Sequence, residues 1–193
     1  MNCAKRNQSN QLNQKAFTLI ELLITLSLAL ILSGMALPSF NELLENSKLM
    51  TQVDDLAKTL RASRTTAIYE NSKVTICPTN DSHTCISDWS AGYMSFVDKN
   101  GDRNLNDDEE ILTIYTNKNN KASLNWRAFG FRKSIQWLET GITNHQNGTF
   151  YFCHEDATKS RALIITKAGR IRYSKDTDGD DLHESANGKP LNC

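Results

Sequence analysis

Apolar residues fall along this chain in three regimes. From Phe17 to Leu37 they run almost without a break, and Glu21 is the one charged residue in the stretch. From Phe40 onward they recur every three or four positions, at Phe40, Leu43, Leu44, Met50, Val53, Leu56, Ala57, Leu60, Ala67 and Ile68. Glu42, Glu45, Lys48, Asp54, Lys58 and Arg61 fill the gaps. From Lys73 to the end the apolar residues come in short β-branched or aromatic bursts: "KVTICP", "YMSFVD", "EILTIY", "ASLNWRAF", "SIQWL", "GTFYFC", "ALIITK" and "RIRYS". Gly, Asn, Asp and Ser clusters separate them.

Each regime predicts an element. A helix over 17–37 rises about 30 Å at 1.5 Å per residue, the thickness of a bilayer core. The three- and four-residue spacing over 38–71 predicts an amphipathic helix with one face for a core. Pro38 lies between the two and removes a backbone donor, which predicts a loosened or kinked helix there. Asn71-Ser72 marks the predicted helix end. The bursts predict strands over 72–193. A long N-terminal helix followed only by strands predicts an α+β domain, with antiparallel sheet on the helix's apolar face. There are no repeats, and "TDGDDLHESANGKPLN" reads as irregular.

Length and charge sharpen this picture. The 193 residues suit one folded domain with an appendage. Formal net charge is zero, but residues 1–16 carry Lys5, Arg6 and Lys15 and no acid. Setting those three aside leaves 19 basic against 22 acidic residues. Such a domain is not globally basic, so nucleic-acid binding would need a local patch. The basic leader orients 17–37 as a membrane span with a cytoplasmic N-terminus and an exported remainder. A cleavable secretory signal is the competing reading, with "LSGMALPSF" as its cleavage region. Beyond Cys3 in the leader, four cysteines remain, an even number suited to an oxidising compartment. Of three possible pairings, Cys77–Cys85 makes a short local loop and Cys153–Cys193 pins the C-terminus to a strand. These two are the expected bonds, against the alternative of free thiols.

Three stretches carry candidate chemistry. In "KAGRIRYSK", Gly169 permits a turn, and Arg170 and Arg172 are two apart, hence on one face of a strand whose Ile171 faces the core. Paired guanidiniums suit phosphate oxygens, and Lys167 and Lys175 flank them. Asp176, Asp178, Asp180 and Asp181 follow closely and would repel a nucleic-acid backbone unless neutralised. In "DKNGDRNLNDDE", Asp98, Asn100, Asp102, Asn104 and Glu109 hold the 1, 3, 5, 7 and 12 positions of a calcium loop. Arg103 stands where that loop expects Gly, and a plain acidic hairpin is the alternative. "DTDGDDLHE" invites the same two readings. His83, His145, His154 and His183 show no metal-ligand spacing. No nucleophile–base pair and no P-loop stand out, so we expect no enzyme and no cofactor, with calcium as the sole metal to weigh.

The leader followed by "FTLIEL", an apolar helix, an amphipathic helix and a disulfide-bearing sheet resembles the type IV pilin superfamily. The resemblance implies a prepilin peptidase that cuts between Ala16 and Phe17 and methylates the new amine. The family usually has Gly before the cut, where this chain has Ala16. It also implies that Glu21 pairs with the N-terminal amine of a neighbouring subunit in the filament. That accounts for a lone carboxylate in an apolar helix, because a buried charge is tolerated once paired. "SIQWLETGITNHQNGTFYFC" followed by "RALIITKAGRIRY" resembles the FimT/GspH group of minor pilins and pseudopilins.

What this group implies is a filament subunit held in the inner membrane, with a periplasmic domain, before it reaches the cell surface. Its partners would be other pilins and the prepilin peptidase. In DNA-uptake members the GRxR motif contacts DNA, which on this chain means Arg170 and Arg172 and double-stranded DNA taken up in natural transformation. The alternative within the same group is an H-type pseudopilin of type II secretion that binds no DNA.

Overall fold

The structure is a computed structural model and describes residues 17–117 and 122–193; the side chains of 35–39 and of residue 131 fall outside the description. The expected leader, with Ala16 at its end, lies outside the described residues. Helix α1 spans Leu19–Tyr69 and is assigned as one helix through Pro38. Thr18 caps it: its hydroxyl accepts from the Glu21 N–H at 3.3 Å, the T-x-x-E arrangement of a capping box. At the other end Asn71 takes φ 49° and the Ser72 N–H reaches the Ala67 carbonyl at 3.2 Å. A left-handed residue followed by this six-to-one bond is a Schellman stop. The helix therefore ends where the sequence places it.

The chain divides into two compact units at Leu44/Glu45. In the first, Leu19, Ile20, Leu22, Leu23, Leu30 and Leu32 are all exposed. Among the described residues no helix is long and apolar enough to cross a membrane. The run 17–37 is described with its side chains only as far as Gly34.

In the second unit α1 buries Leu49, Val53, Leu56, Ala57, Leu60 and Ala67. The predicted core face is thus corrected at five positions. Phe40, Leu43, Leu44, Met50 and Ile68 are exposed, and Leu49 joins the core instead. A residue in the periodic pattern is buried only where another element lies over it, and the first such contact comes at Leu49. Full burial of a leucine such as Leu56 contributes about 1.5–3 kcal/mol.

All eight predicted strands are present: β1 Val74–Pro78, β2 Gly92–Val97, β3 Ile111–Thr116, β4 Ser123–Ala128, β5 Ile135–Trp137, β6 Gly148–Cys153, β7 Arg161–Ile165 and β8 Ile171–Tyr173. They form two antiparallel sheets, in the orders β3-β2-β1-β5 and β4-β6-β7-β8. The inner faces of both contribute to one core with α1: Val74, Ile76, Tyr93, Ile135 and Trp137 from the first sheet, Leu124, Phe150, Phe152, Leu163 and Ile165 from the second. The first sheet is covered on its outer face as well, where Cys77, Met94 and Phe96 pack with Cys85 and Leu105. This is why β1 and β2 are buried at every position and lack the alternation of a half-buried strand.

Both expected disulfides are formed, Cys77–Cys85 and Cys153–Cys193. The first closes a loop in which the Asp81 carboxylate accepts from the Thr84 hydroxyl at 2.7 Å and from the Thr84 and His83 N–H groups. The second ties the end of the chain to β6.

Candidate nucleic-acid interface

The second sheet carries the candidate patch. Its pairing register sets Arg172 of β8 beside Ile164 of β7, Ile164 beside Thr149 of β6, and Thr149 beside Arg127 of β4. Residues in register share a face, so one row crosses the sheet with an arginine at each end. The next row, Tyr173–Leu163–Phe150–Trp126, faces the core. Ile171 and Tyr173 pack against that core, as the alternation in "GRIRY" predicts. Around the Arg127–Arg172 row lies an open depression of about 610 Å³ that also takes in Lys167, Phe129 and Ala186. Phe129 is 75% exposed there.

Arg170 sits differently. It lies in the β7–β8 turn, where the Thr166 N–H donates to its carbonyl at 3.0 Å and its own N–H donates to the Thr166 hydroxyl at 3.2 Å. It borders a second depression, of about 420 Å³, shared with Arg61, Arg64 and Thr65 of α1. The sequence places Arg170 and Arg172 side by side on one strand face. In the structure they border two separate depressions, because β8 begins only at Ile171 and Arg170 belongs to the turn.

β8 and the loop between β5 and β6 are held against α1 by specific contacts. The Arg64 Nε donates to the Gly141 carbonyl at 2.7 Å, and the Tyr173 hydroxyl donates to Asp54 at 2.9 Å. The Arg61 guanidinium lies 5.6 Å from the centre of the Tyr173 ring, within cation–π range. Gly169, at φ 81°, approaches so closely that a Cβ there would run into the Gly141 carbonyl, the Arg64 guanidinium and the Trp137 ring. Only glycine fits both that angle and that gap.

Lys167 is exposed beside this turn; Lys175, also exposed, lies past the far end of β8, beyond the Ser174–Ala162 pairing, and the structure does not bring it to the turn. Arg61, Arg64, Arg127 and Phe129 join the patch without having been singled out in the sequence. The i,i+3 spacing of Arg61 and Arg64 on a helix is the one signal that could have marked a pair of them. Arg127 is far from the motif in sequence and meets it only through strand register.

The calcium-loop candidate Asp98–Glu109 is closed on itself. Asp98 is fully buried, and one of its carboxylate oxygens accepts from the Thr75 hydroxyl, the Gln136 amide and the Arg103 N–H, the other from the Gly101 N–H. The Glu109 oxygens accept from the Lys99 and Asn106 N–H groups. Asp102 accepts from Asn100 and Asn104. Arg103 takes φ 68° at the position where calcium loops use Gly, and sends its guanidinium to Ser134 and Gln146.

With this geometry in view, comparison with known proteins assigns the family. The model of a family described as Type II transport protein GspH matches residues 52–169, more than half the chain. The chain belongs to the GspH family. A second model, the prokaryotic N-terminal methylation motif, matches residues 11–37, which include Ala16, Phe17 and Glu21. No curated protein matches the chain.

Among solved structures, the type IV minor pilin FimU of Pseudomonas aeruginosa is similar at 18% identity, with a TM-score of 0.52 over 68% of this chain and 91% of FimU. A second crystal form of FimU gives 18% identity and a TM-score of 0.47 over 65% and 92%. At that identity the likeness to FimU concerns the fold. The GspH model, the methylation motif and the pilin fold agree with one another, and make this chain a GspH-type, pilin-like protein. The GspH match ends at Gly169, so Arg170, Arg172 and the acidic loop that follows lie beyond it.

Proposed function

We propose that this protein is a minor pilin of a type IV pilus that binds double-stranded DNA without sequence preference for uptake in natural transformation. Processing between Ala16 and Phe17 releases a subunit whose N-terminal helix anchors it in the inner membrane, with the β-rich domain in the periplasm. Glu21 then pairs with a neighbouring subunit's amine as the filament forms. The methylation-motif match over 11–37 supports the anchoring and assembly part of this reading. The observation that carries the DNA part is the basic surface on both sides of the β7–β8 turn, Arg61, Arg64 and Arg170 on one side and Arg127, Arg172 and Lys167 on the other. Such a surface reads phosphate, and phosphate contacts carry no base information.

The test is fluorescence anisotropy with a random-sequence duplex and the unit Glu45–Cys193, which among the described residues holds every buried hydrophobic side chain and both disulfides. With about 2–4 phosphates neutralised, log affinity falls with log salt at a slope of about −2 to −4. Arg170→Gln with Arg172→Gln removes most binding and flattens the slope, and unfolding free energy changes by about 0.5 kcal/mol or less. Wild-type affinity in that double variant refutes the DNA reading and leaves the filament role in place.

The printed description of the GspH family, a type II transport protein, favours a second reading. There the chain is an H-type pseudopilin whose partners are other secretion pseudopilins. Absence of DNA binding at low salt, with co-purification of pseudopilins, would select it.

A further inference from the structure

We propose that the loop Asp176–Glu184, just after β8, binds one calcium ion. The loop is a closed unit, because the Glu184 N–H donates back to the Lys175 carbonyl at 2.9 Å. Asp176, Asp178, Asp180 and Glu184 each offer one carboxylate oxygen to a cluster in which all four oxygens lie within 4.8 Å of one another. Among the described residues no lysine or arginine forms an ion pair with any of the four.

A cluster of exposed acids alone would mean little. Glu184 makes the difference. It is only 5% exposed. One of its oxygens, Oε2, accepts from both the N–H and the hydroxyl of Thr177, each at 2.8 Å. The other, Oε1, is buried with no hydrogen-bond partner. A carboxylate oxygen withdrawn from water and given no donor is unfavourable unless a cation meets it. Glu184 shares its cluster with three further carboxylates, which offer ligand atoms rather than donors.

The donor set selects the ion. All four ligands are hard oxygens. No histidine or cysteine belongs to the cluster, and His183, next to Glu184 in sequence, engages its Nδ1 with the Ser174 hydroxyl at 3.0 Å, which disfavours zinc. Calcium–oxygen distances of about 2.3–2.6 Å put opposite ligands about 4.6–5.2 Å apart, and magnesium demands about 4.0–4.2 Å with near-ideal octahedral geometry. Four oxygens within 4.8 Å of one another can be accommodated in the larger and more flexible calcium sphere.

In the Asp176–Glu184 loop backbone N–H groups also reach Asp176, Asp178 and Asp180, so the contrast with the Asp98–Glu109 loop lies in the buried carboxylate: Asp98 has donors on both oxygens, whereas Glu184 has them on one. Calcium at Asp176–Glu184 would hold the C-terminal arm, where Glu184 bridges to Pro190 ahead of the Cys153–Cys193 bond. It would also cancel negative charge next to Lys175.

The experiment is calorimetric titration of the full-length chain in detergent, stripped with EDTA, using calcium chloride and then magnesium chloride, together with thermal unfolding. The expected result is one calcium per chain and a higher unfolding temperature, with magnesium far less effective. Glu184→Gln and Asp178→Asn, made separately, should each weaken calcium binding by about tenfold or more, since affinity follows ligand charge. Circular dichroism of the calcium-free variants checks that they fold. No heat and no stabilisation at millimolar calcium overturns the proposal. So does wild-type affinity in both variants, or binding lost only on Asp102→Asn with Glu109→Gln, which would put the ion in the other loop.

Discussion

The two ends of α1 use the same residue types to opposite effect. Towards the N-terminus Leu19, Leu23 and Leu30 are 77%, 54% and 73% exposed, although the segment is the more apolar of the two. Towards the C-terminus Val53, Leu56 and Leu60 are wholly buried, although charged residues surround them in sequence. Burial is therefore set by what lies over a helix and not by how apolar the helix is. The second end is covered by two sheets of its own chain. Among the described residues nothing of the chain buries the apolar surface of the first, which is the form expected of a segment completed by lipid or by other subunits.

The comparison can be broken most sharply at Glu21. If the first end is completed by neighbouring helices, Glu21→Ala strands an unpaired amine in the bundle, which costs about 3–5 kcal/mol of packing free energy. Incorporation into pili, read by immunoblot of sheared filaments, should collapse, with membrane insertion retained. Glu21→Gln separates this role from the Thr18 cap. Gln preserves the capping box but carries no charge, so it should be as defective as Ala. Normal incorporation of the Gln variant would reduce Glu21 to a helix cap.

Next in size is the pair Leu56→Ala and Leu23→Ala. The first leaves a cavity between helix and sheets and should cost about 2–5 kcal/mol in denaturant unfolding. The second should change the stability of the folded unit by about 0.5 kcal/mol or less. Equal effects would mean that the two ends are not separate in the way their exposure indicates.

A smaller effect is expected at the end of the chain. Cys153→Ser with Cys193→Ser should lower stability by about 2–4 kcal/mol at most, by freeing the C-terminal arm in both folded and unfolded states. Non-reducing peptide mapping of the parent should return Cys77–Cys85 and Cys153–Cys193.

The smallest effect concerns acid. Hydrogen bonds from the Thr84 hydroxyl, then from the Thr84 and His83 N–H groups, hold the Asp81 carboxyl far below the ordinary aspartate range. A depressed folded-state value stabilises above the unfolded value of about 3.9, and the contribution is lost as pH falls below that. Asp81→Asn should flatten the acid limb of the stability profile slightly and leave neutral pH nearly unchanged. Both ends of α1 should be indifferent to it.

Much of this protein is legible along the chain. The helix, its stop at Asn71, all eight strands and the Cys77–Cys85 bond can be read there, because each depends on near neighbours: apolar period, turn residues, a left-handed position, a short cysteine loop; the Cys153–Cys193 bond, 40 residues apart, then follows as the pairing that is left. "FTLIEL" after a basic leader is likewise local, and it resembles the pilin class whose methylation motif matches residues 11–37.

Whatever depends on distant partners is settled by packing instead. Packing splits the strands into two sheets, begins helix burial at Leu49, and aligns Arg127 with Arg172 through three strand pairings. It puts Arg170 in a turn beside Arg61 and Arg64. It also distinguishes two acidic loops that read alike in sequence, by giving Asp98 donors from β1 and β5 and leaving Oε1 of Glu184 with none. One cause runs through all of these. Periodicity fixes which way a residue points within its own element, and only the assembled elements fix what it meets there.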